Sequence, residues 1–135
     1  MEQPEYENLL AFRMALRRFL HWSREREAAA GLTPAQHELL LVLQVHPDPA
    51  GPTISELADH LSIRPHSAVQ LADRVEALGL VRRHRDDTDR RLVRLQLTPA
   101  GRRRVHQLDA IHSEELRKLA SLAAVTARAR RPGPT

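Results

Sequence analysis

Arginine side chains are concentrated in one stretch of this 135-residue chain, where nine arginines stand against three aspartates between Arg82 and Arg104. A guanidinium group is permanently charged and planar, binds phosphate oxygens through paired donors, and is thin enough to enter a narrow minor groove of DNA. The formal net charge is only +4. The local excess of arginine therefore predicts a surface that faces phosphates.

Most of these arginines lie in a predicted β-hairpin, the wing, at about residues 80–97, whose strands flank the polar turn 86–91. The alternation of apolar and polar residues in the second strand predicts that Arg94 points to solvent. Asp86 and Asp89 are expected to cap backbone N–H groups in the turn and to pair with arginines. An ordinary solvated hairpin is the alternative interpretation.

Two short helices precede the hairpin in the order that a helix-turn-helix requires. The first is predicted by a capping box, in which the Thr53 hydroxyl accepts a backbone N–H and Glu56 reaches back. The second, at about residues 64–78, begins with Pro65 and ends at Gly79, as helix-start and helix-stop preferences indicate. The exposed start of this second helix is the part that would enter a major groove.

The order and spacing of these segments resemble the MarR family of bacterial transcription regulators from about Gly31 to about Leu122. The most specific motif is the wing signature D-x-R, present as Asp89-Arg90-Arg91 and followed by an apolar strand and the helix start Leu97-Thr98-Pro99-Ala100-Gly101. The resemblance implies that Arg91 enters the minor groove. It further implies that Asp73 is structural and that Arg74 lies near the DNA backbone or the wing.

Base readout is assigned to the first turns of the second helix. Gln70 is the strongest candidate, because its amide both accepts and donates and so matches adenine N6 and N7. His66 and Ser67 suit guanine or phosphate, while Val69 or Pro65 suits a thymine methyl group. The complete set expected to contact DNA is Thr53, Ser55, Pro65, His66, Ser67, Val69, Gln70, Arg74, Arg82, Arg83, Arg90, Arg91 and Arg94, with Asp73, Asp86 and Asp89 as structural residues of the wing.

The predicted fold is mainly α with a small antiparallel β-wing, in one MarR-like domain over residues 1–135. A helix-turn-helix lobe at 33–97, including a central helix that is apolar nearly all round, is flanked by helices at 5–30 and 98–125. Both flanking helices carry apolar residues at spacings of three and four, and the family uses such terminal helices to dimerise. Residues 126–135 are predicted to be a disordered basic tail. A further C-terminal dimerisation helix is expected to be absent or stunted, which predicts a smaller interface.

Several function classes are disfavoured by the sequence. There is no cysteine, which excludes thiol sensing. No apolar stretch is long enough to span a membrane and the first residues are acidic, which predicts a cytoplasmic protein. No Gly-x-Ser-x-Gly, phosphate loop or metal motif indicates an enzyme or a cofactor. The best local set of metal-binding side chains, His106, Asp109, His112 and Glu115, lacks zinc-ligand spacing, and a metal-responsive regulator remains a minor alternative.

The resemblance also implies an effector site for a small aromatic or anionic molecule, with Arg18, His21, Trp22 and His37 as possible lining residues. The functional prediction is a homodimer that reads a palindromic operator in double-stranded DNA, with half-sites about one helical turn apart. Repression of transcription, relieved by an effector or another signal, is favoured over activation. The alternative from a different class is a winged helix that binds another protein and no specific DNA.

Overall fold

The structure, a computed structural model, describes residues 1–129. The described residues form five α-helices and one two-stranded antiparallel sheet, which confirms the predicted fold class. The helices are α1 (Gln3–Ala29), α2 (Pro34–Val45), α3 (Ile54–Leu61), α4 (Pro65–Ala77) and α5 (Pro99–Ala129), and the strands are β1 (Val81–Arg85) and β2 (Val93–Leu97).

Helix α5 extends further than the sequence predicted. It continues to Ala129, whereas residues from 126 onward were assigned to a disordered tail. The remainder of that predicted tail, including Arg130 and Arg131, lies outside the described residues.

The chain divides into two compact units, one formed by residues 1–26 with 109–135 and the other by 27–108. The second unit contains α2, α3, α4 and the sheet, together with the buried apolar core of the described residues. Its fully buried large side chains are Leu39, Leu40, Leu57, Val75, Leu80, Leu95 and Leu108.

Helix α2 begins with a complete capping box. The Thr33 hydroxyl accepts the backbone N–H of Gln36, and the Gln36 side chain accepts the backbone N–H of Thr33. Although this central helix is apolar nearly all round, it is not buried on every side, because Leu41 and Val45 are 39% and 76% exposed. One side of the helix faces the core, and the other is open in this structure.

The capping box predicted for α3 is only half present. The Thr53 hydroxyl accepts the backbone N–H of Glu56, but the Glu56 carboxylate lies 3.2 Å from Nε2 of His46 instead of reaching back to the cap. The helix ends at Ser62, which has the left-handed φ of 54° and forms the bend toward α4. A tertiary contact has thus replaced half of a local one.

The hairpin has the register Val81 to Leu97 and Arg85 to Val93. Alternate residues of β2, Leu95 and Leu97, are buried in the core, as a half-buried antiparallel strand requires. On its outer edge β2 pairs with the end of the loop before α3 through a bridge between Thr53 and Arg94. This third segment gives the two-stranded sheet an extra neighbour.

In the first unit, α1 and α5 make a polar and aromatic contact. The Ser23 hydroxyl lies 2.8 Å from Nε2 of His112. The Trp22 ring meets the same imidazole edge-on, with centroids 5.0 Å apart, and Phe19 lies 6.2 Å from both rings. These groups fix the pairing of the two helices within this unit, as aromatic contacts commonly do.

Candidate nucleic-acid interface

Helix α4 has a sharply divided surface. Ala68, Ala72 and Val75 are completely buried at spacings of four and three residues, which fixes one face against the core. The opposite face exposes Pro65, His66, Ser67, Val69, Gln70 and Arg74. The residues predicted to read bases are therefore all exposed on one short helix.

Small side chains explain how close α4 lies to its neighbours. Alanine at positions 68 and 72 allows α4 to pack on α2 and α3, since a short side chain lets helix backbones approach. The helix starts with Pro65 at its first position and without a side-chain cap from Arg64. Its first backbone N–H groups are thus available to an acceptor outside the helix.

The wing turn is organised by two aspartates, as predicted for their types. Asp86 accepts the backbone N–H groups of Thr88 and Asp89 at 3.0 and 2.8 Å. The pKa of Asp86 is held below its ordinary value chiefly by the hydrogen bond from the Asp89 backbone and next by the Arg94 guanidinium. The Thr88 backbone N–H lowers it further. The Arg91 side chain and backbone N–H, which both donate to Asp89, likewise lower the pKa of Asp89. Both carboxylates therefore remain charged throughout the neutral range.

Arg91 is an open cation of the wing. Its side chain is 90% exposed, although two of its nitrogens lie 3.1 Å from the Asp89 carboxylate. The Arg90 backbone carbonyl accepts a bond from Arg85, which steadies the turn beneath both arginine side chains. Pairing with Asp89 restricts the Arg91 side chain while leaving it accessible to a ligand.

Arg94 is a structural residue here, and the prediction that it points to solvent was wrong. Its side chain is only 15% exposed, and Nε lies 2.6 Å from the Asp86 carboxylate. Its Nη1 donates to the carbonyl of Gly51 at 2.8 Å and faces Asp48 at 3.8 Å. The outer face of β2 is covered by the loop before α3, so alternation alone could not place this side chain.

Thr53 is likewise unsuited to a phosphate. It is buried, and its hydroxyl already accepts the backbone N–H of Glu56. Ser55, two residues further along, is exposed, and its side chain forms no hydrogen bond with another residue of the described part of the chain. The helix start can therefore offer Ser55 rather than Thr53.

Arg83 connects the wing to α4 instead of standing free. Its guanidinium lies 2.5 Å from the Asp73 carboxylate and 3.6 Å from that of Glu76, and it donates to the Val69 carbonyl at 3.0 Å. The backbone N–H of Arg83 also donates to Glu76. We call Arg83, Asp73, Glu76 and the Val69 carbonyl the helix–wing clamp.

The sequence interpretation identified Asp73 as structural but missed Glu76, whose only local signal is its position three residues after Asp73 on one helix face. It also missed a second anchor, in which His84 lies 2.8 Å from the Ala50 carbonyl and Gln96 donates to the Pro49 carbonyl. Arg82 donates to Gln96 from the neighbouring strand. No sequence spacing indicates the contacts of His84 with Ala50 and of Gln96 with Pro49, because each joins segments more than thirty residues apart.

The predicted effector residues are not brought together as a group. In the first unit a cleft of about 400 Å³ is lined by Ala15, Arg18, Phe19, Trp22, Glu115, Lys118, Leu119 and Leu122. Two predicted residues, Arg18 and Trp22, belong to it. His21 is exposed and pairs with Glu25 on the same helix. His37 is buried in the other unit, 2.6 Å from the Glu27 carboxylate, and lines none of this cleft.

Within residues 1–129, no group of three or more histidines, aspartates or glutamates is arranged to hold a metal ion. In the same part of the chain, the helices include none with the length and apolar character needed to cross a bilayer.

Two packed helices joined by a left-handed turn, an exposed second helix and an adjoining charged hairpin define a winged helix-turn-helix protein. Residues 30–92 match the model of the MarR family. This stretch, which includes the wing signature Asp89-Arg90-Arg91, is therefore similar to the MarR family.

Similarity to individual proteins agrees with this assignment. The chain is 35% identical over 71 residues to the HTH-type transcriptional repressor MdtR of Bacillus subtilis, a match that covers 53% of this chain and 44% of that protein. YusO of Bacillus subtilis has a similar structure, with a TM-score of 0.71, 25% identity, and coverage of 93% of this chain and 94% of YusO.

A third similar structure is that of MepR of Staphylococcus aureus in complex with DNA. Its TM-score is 0.70 at 24% identity, over 83% of this chain and 81% of MepR. This likeness concerns the fold. The sequence match to MdtR spans less than half of that relative's length.

Proposed function

We propose that this protein is a non-enzymatic, dimeric transcriptional regulator that binds double-stranded DNA through α4 and the wing. The observation that carries the proposal is the helix–wing clamp. Arg83 fixes the exposed face of α4 relative to the charged hairpin, so two DNA-contacting elements are presented together by one rigid lobe. This use of a reading helix and a flanking basic segment is established for DNA-binding folds.

The residues proposed to contact DNA are those whose side chains are exposed. Pro65, His66, Ser67, Val69 and Gln70 would face base edges. Phosphate or minor-groove contacts are assigned to Ser55, Arg74, Arg82, Arg90 and Arg91, which are all exposed. Thr53, Arg83 and Arg94 hold the lobe together and are not proposed to contact DNA. Two similar proteins support DNA binding and repression as properties of this chain: MdtR is a transcriptional repressor by name, and MepR has a structure in complex with DNA.

A salt titration of binding to a random duplex tests the proposal. Each phosphate contact releases counterions, so the logarithm of affinity should fall steeply with the logarithm of salt concentration. Arg91→Ala should weaken binding to all sequences and reduce that slope by about one. The matched control is Arg117→Ala, which removes an exposed arginine paired with Glu114 in α5. A flat salt response would instead favour the alternative, a winged helix that binds another protein.

Dimerisation is proposed through the first unit, with a second copy of the chain as the partner. Apolar side chains are exposed along both of its helices, including Leu10 at 59% and Leu116 at 54%, and exposed apolar stretches of this kind mark protein contacts. Helix α1 also carries acidic residues at 5 and 7 near its start and arginines at 13, 17 and 18. Two antiparallel copies related by a two-fold axis would place these opposite charges together.

Such a dimer would read a palindromic operator with half-sites about one helical turn apart, and binding there would block transcription. This function would also locate the protein in the cytoplasm, with the DNA.

We further propose that the cleft in the first unit takes a small aromatic anion. Arg18 lines it and forms no ion pair with any acid of the described residues, and Phe19 and Trp22 supply ring surfaces. Because Trp22 is the single tryptophan, its fluorescence reports on the cleft directly. Benzoate should change the emission, benzyl alcohol should do so more weakly, and Arg18→Ala should abolish the difference between them.

A further inference from the structure

Two exposed side chains of α4 touch each other. Nε2 of Gln70 lies 3.3 Å from Nε2 of His66, one helical turn earlier. The nitrogen of a primary amide is a donor only, so His66 must accept through Nε2 and carry its proton on Nδ1. The contact therefore defines both the imidazole tautomer and the orientation of the Gln70 amide.

This arrangement leaves Gln70 able to read a base. One amide N–H is taken by His66, and the second N–H and the carbonyl oxygen form no hydrogen bond with another described residue. That pair of groups matches adenine N7 and N6 in the major groove. His66 thus acts as a positioning residue for the Gln70 amide.

Protonation of His66 would reverse the arrangement. An imidazolium ion has a donor at both nitrogens, so Nε2 could no longer accept from the amide. The Gln70 amide would turn over to offer its oxygen to His66, which is an accessible motion because the terminal amide torsion is roughly two-fold. The donor and the acceptor presented to the groove would then exchange places.

The charged groups around His66 leave it free of a carboxylate partner. Asp73 and Glu76 of its own helix pair with Arg83 of β1, and Glu56 of α3 pairs with His46. Among the described residues, none of the other charged or titratable groups of α4, its cap, α2, α3 and β1 forms an ion pair with His66: Arg64, Arg74, His37, Glu38, Asp59, His60, Arg82, His84 and Arg85.

We propose that His66 and Gln70 form a proton-dependent base reader, in which the charge on His66 decides which base pair Gln70 prefers at one operator position. Imidazole is the side chain whose charge ordinarily changes between pH 5 and 8. The inference rests on the proposed DNA binding and adds to it a sequence preference that depends on pH.

The test is a selection of bound duplexes from a random pool at pH 6 and pH 8, with equal ionic strength and the full chain. The two consensus sequences should differ at one base pair in each half-site. For two duplexes that differ only there, the ratio of affinities should change by about tenfold between the two pH values, as expected for gain or loss of one paired base contact.

Three variants sharpen the test. His66→Ala removes the partner and should make the consensus independent of pH. His66→Gln keeps a neutral partner at every pH, because i,i+4 amide pairs form on helices, and should retain one preference throughout. His106→Ala, an exposed histidine of α5, should leave the wild-type pH response unchanged.

The outcomes separate the two proposals. Duplex binding with a consensus that does not change with pH overturns the inference and leaves the proposed function intact. A pH-dependent change that persists in His66→Ala also overturns it, because another group would be responsible. Failure to enrich any duplex at either pH overturns the proposed function and this inference with it.

Discussion

At the scale of single residues, the charged groups of the wing divide into those that hold it together and those that remain accessible. Asp86 and Arg94 are mostly buried side chains joined at 2.6 Å, whereas the Arg91 side chain is 90% exposed. A cation bound on several sides has little to offer a phosphate, since its donors are already used. The number of arginines alone therefore overstates the contact surface.

The lowered pKa of Asp86 leads to a prediction about acid. Because backbone N–H bonds and Arg94 favour the charged carboxylate, the folded wing binds this proton more weakly than the unfolded chain does. The contribution of Asp86 to stability is fully present above the ordinary carboxyl pKa of 3.8 and is lost as pH falls through the lower, folded value.

Thermal unfolding measured between about pH 2.5 and pH 7 should therefore show a loss confined to the acid end, below the ordinary carboxyl pKa range. Asp86→Asn should lose stability at neutral pH and show a shallower acid dependence than the wild type. An Asp86→Asn curve parallel to the wild-type curve over the whole range would contradict the assignment.

At the scale of elements, one side chain contributes several of the contacts between α4 and the wing. Arg83 reaches Asp73 and the Val69 carbonyl from β1. A planar guanidinium can engage both acceptors at once, whereas an ammonium group acts as a point charge. The clamp therefore helps to fix the distance between α4 and the wing, the two elements proposed to contact DNA.

Arg83→Met should weaken duplex binding while lowering the free energy of unfolding by only about 1 kcal/mol, as for partly exposed polar contacts. Arg83→Lys should restore little of the binding. The measurement pairs duplex affinity with denaturant unfolding, and Arg102→Lys, an exposed α5 position, serves as a matched control. Normal affinity in Arg83→Met would show that the clamp is dispensable.

The loop before α3 makes a close backbone contact with β2 at Gly51. This residue has φ +84°, and a Cβ atom there would lie 1.7 Å from the Leu95 carbonyl oxygen. Gly51→Ala should destabilise the protein by more than about 2 kcal/mol, combining backbone strain with overpacking.

Gly79 offers a matched comparison. Its φ is +76°, and a Cβ atom would meet no described atom within 4 Å. Gly79→Ala should cost only the strain of a left-handed residue, about 1 kcal/mol, measured by the same denaturant titration. Equal losses at both positions would mean that crowding against Leu95 contributes nothing.

At the scale of the whole molecule, the two units differ in how much of their apolar surface is buried. The unit of residues 27–108 contains the buried leucine core, while the unit formed by 1–26 and 109–135 leaves large apolar side chains open. Such side chains are stabilised when a second surface removes them from water. The proposed dimer therefore concerns stability as well as DNA recognition.

Leu10→Glu combined with Leu116→Glu should convert the dimer to monomers, because two buried carboxylates without partners are costly. Sedimentation equilibrium measures the oligomeric state, and Leu41→Glu, at an exposed position of α2, is the control. Duplex affinity should fall together with the dimer fraction. A wild-type monomer that binds duplex DNA would contradict the dimer proposal but not DNA binding.

The amino-acid sequence by itself determined the order of elements and the exposed face of α4. These features follow from local signals, each of which depends on neighbours within about one turn of helix. The signals are the apolar spacing, the helix caps at Thr33 and Thr53, and the helix stops at Ser62 and Gly79. The family motif likewise lies within a short stretch, from Asp89 to Gly101.

Only the tertiary structure decided which charged groups are available. Arg94 donates to the Gly51 carbonyl, 43 positions away in sequence. The Glu56 carboxylate contacts His46 instead of the start of its own helix. A long side chain binds whichever acceptor the fold brings within hydrogen-bond distance, and that distance is set by packing of segments remote in sequence. Residue type thus predicted the chemistry of the wing, while packing selected the arginines that remain free to use it.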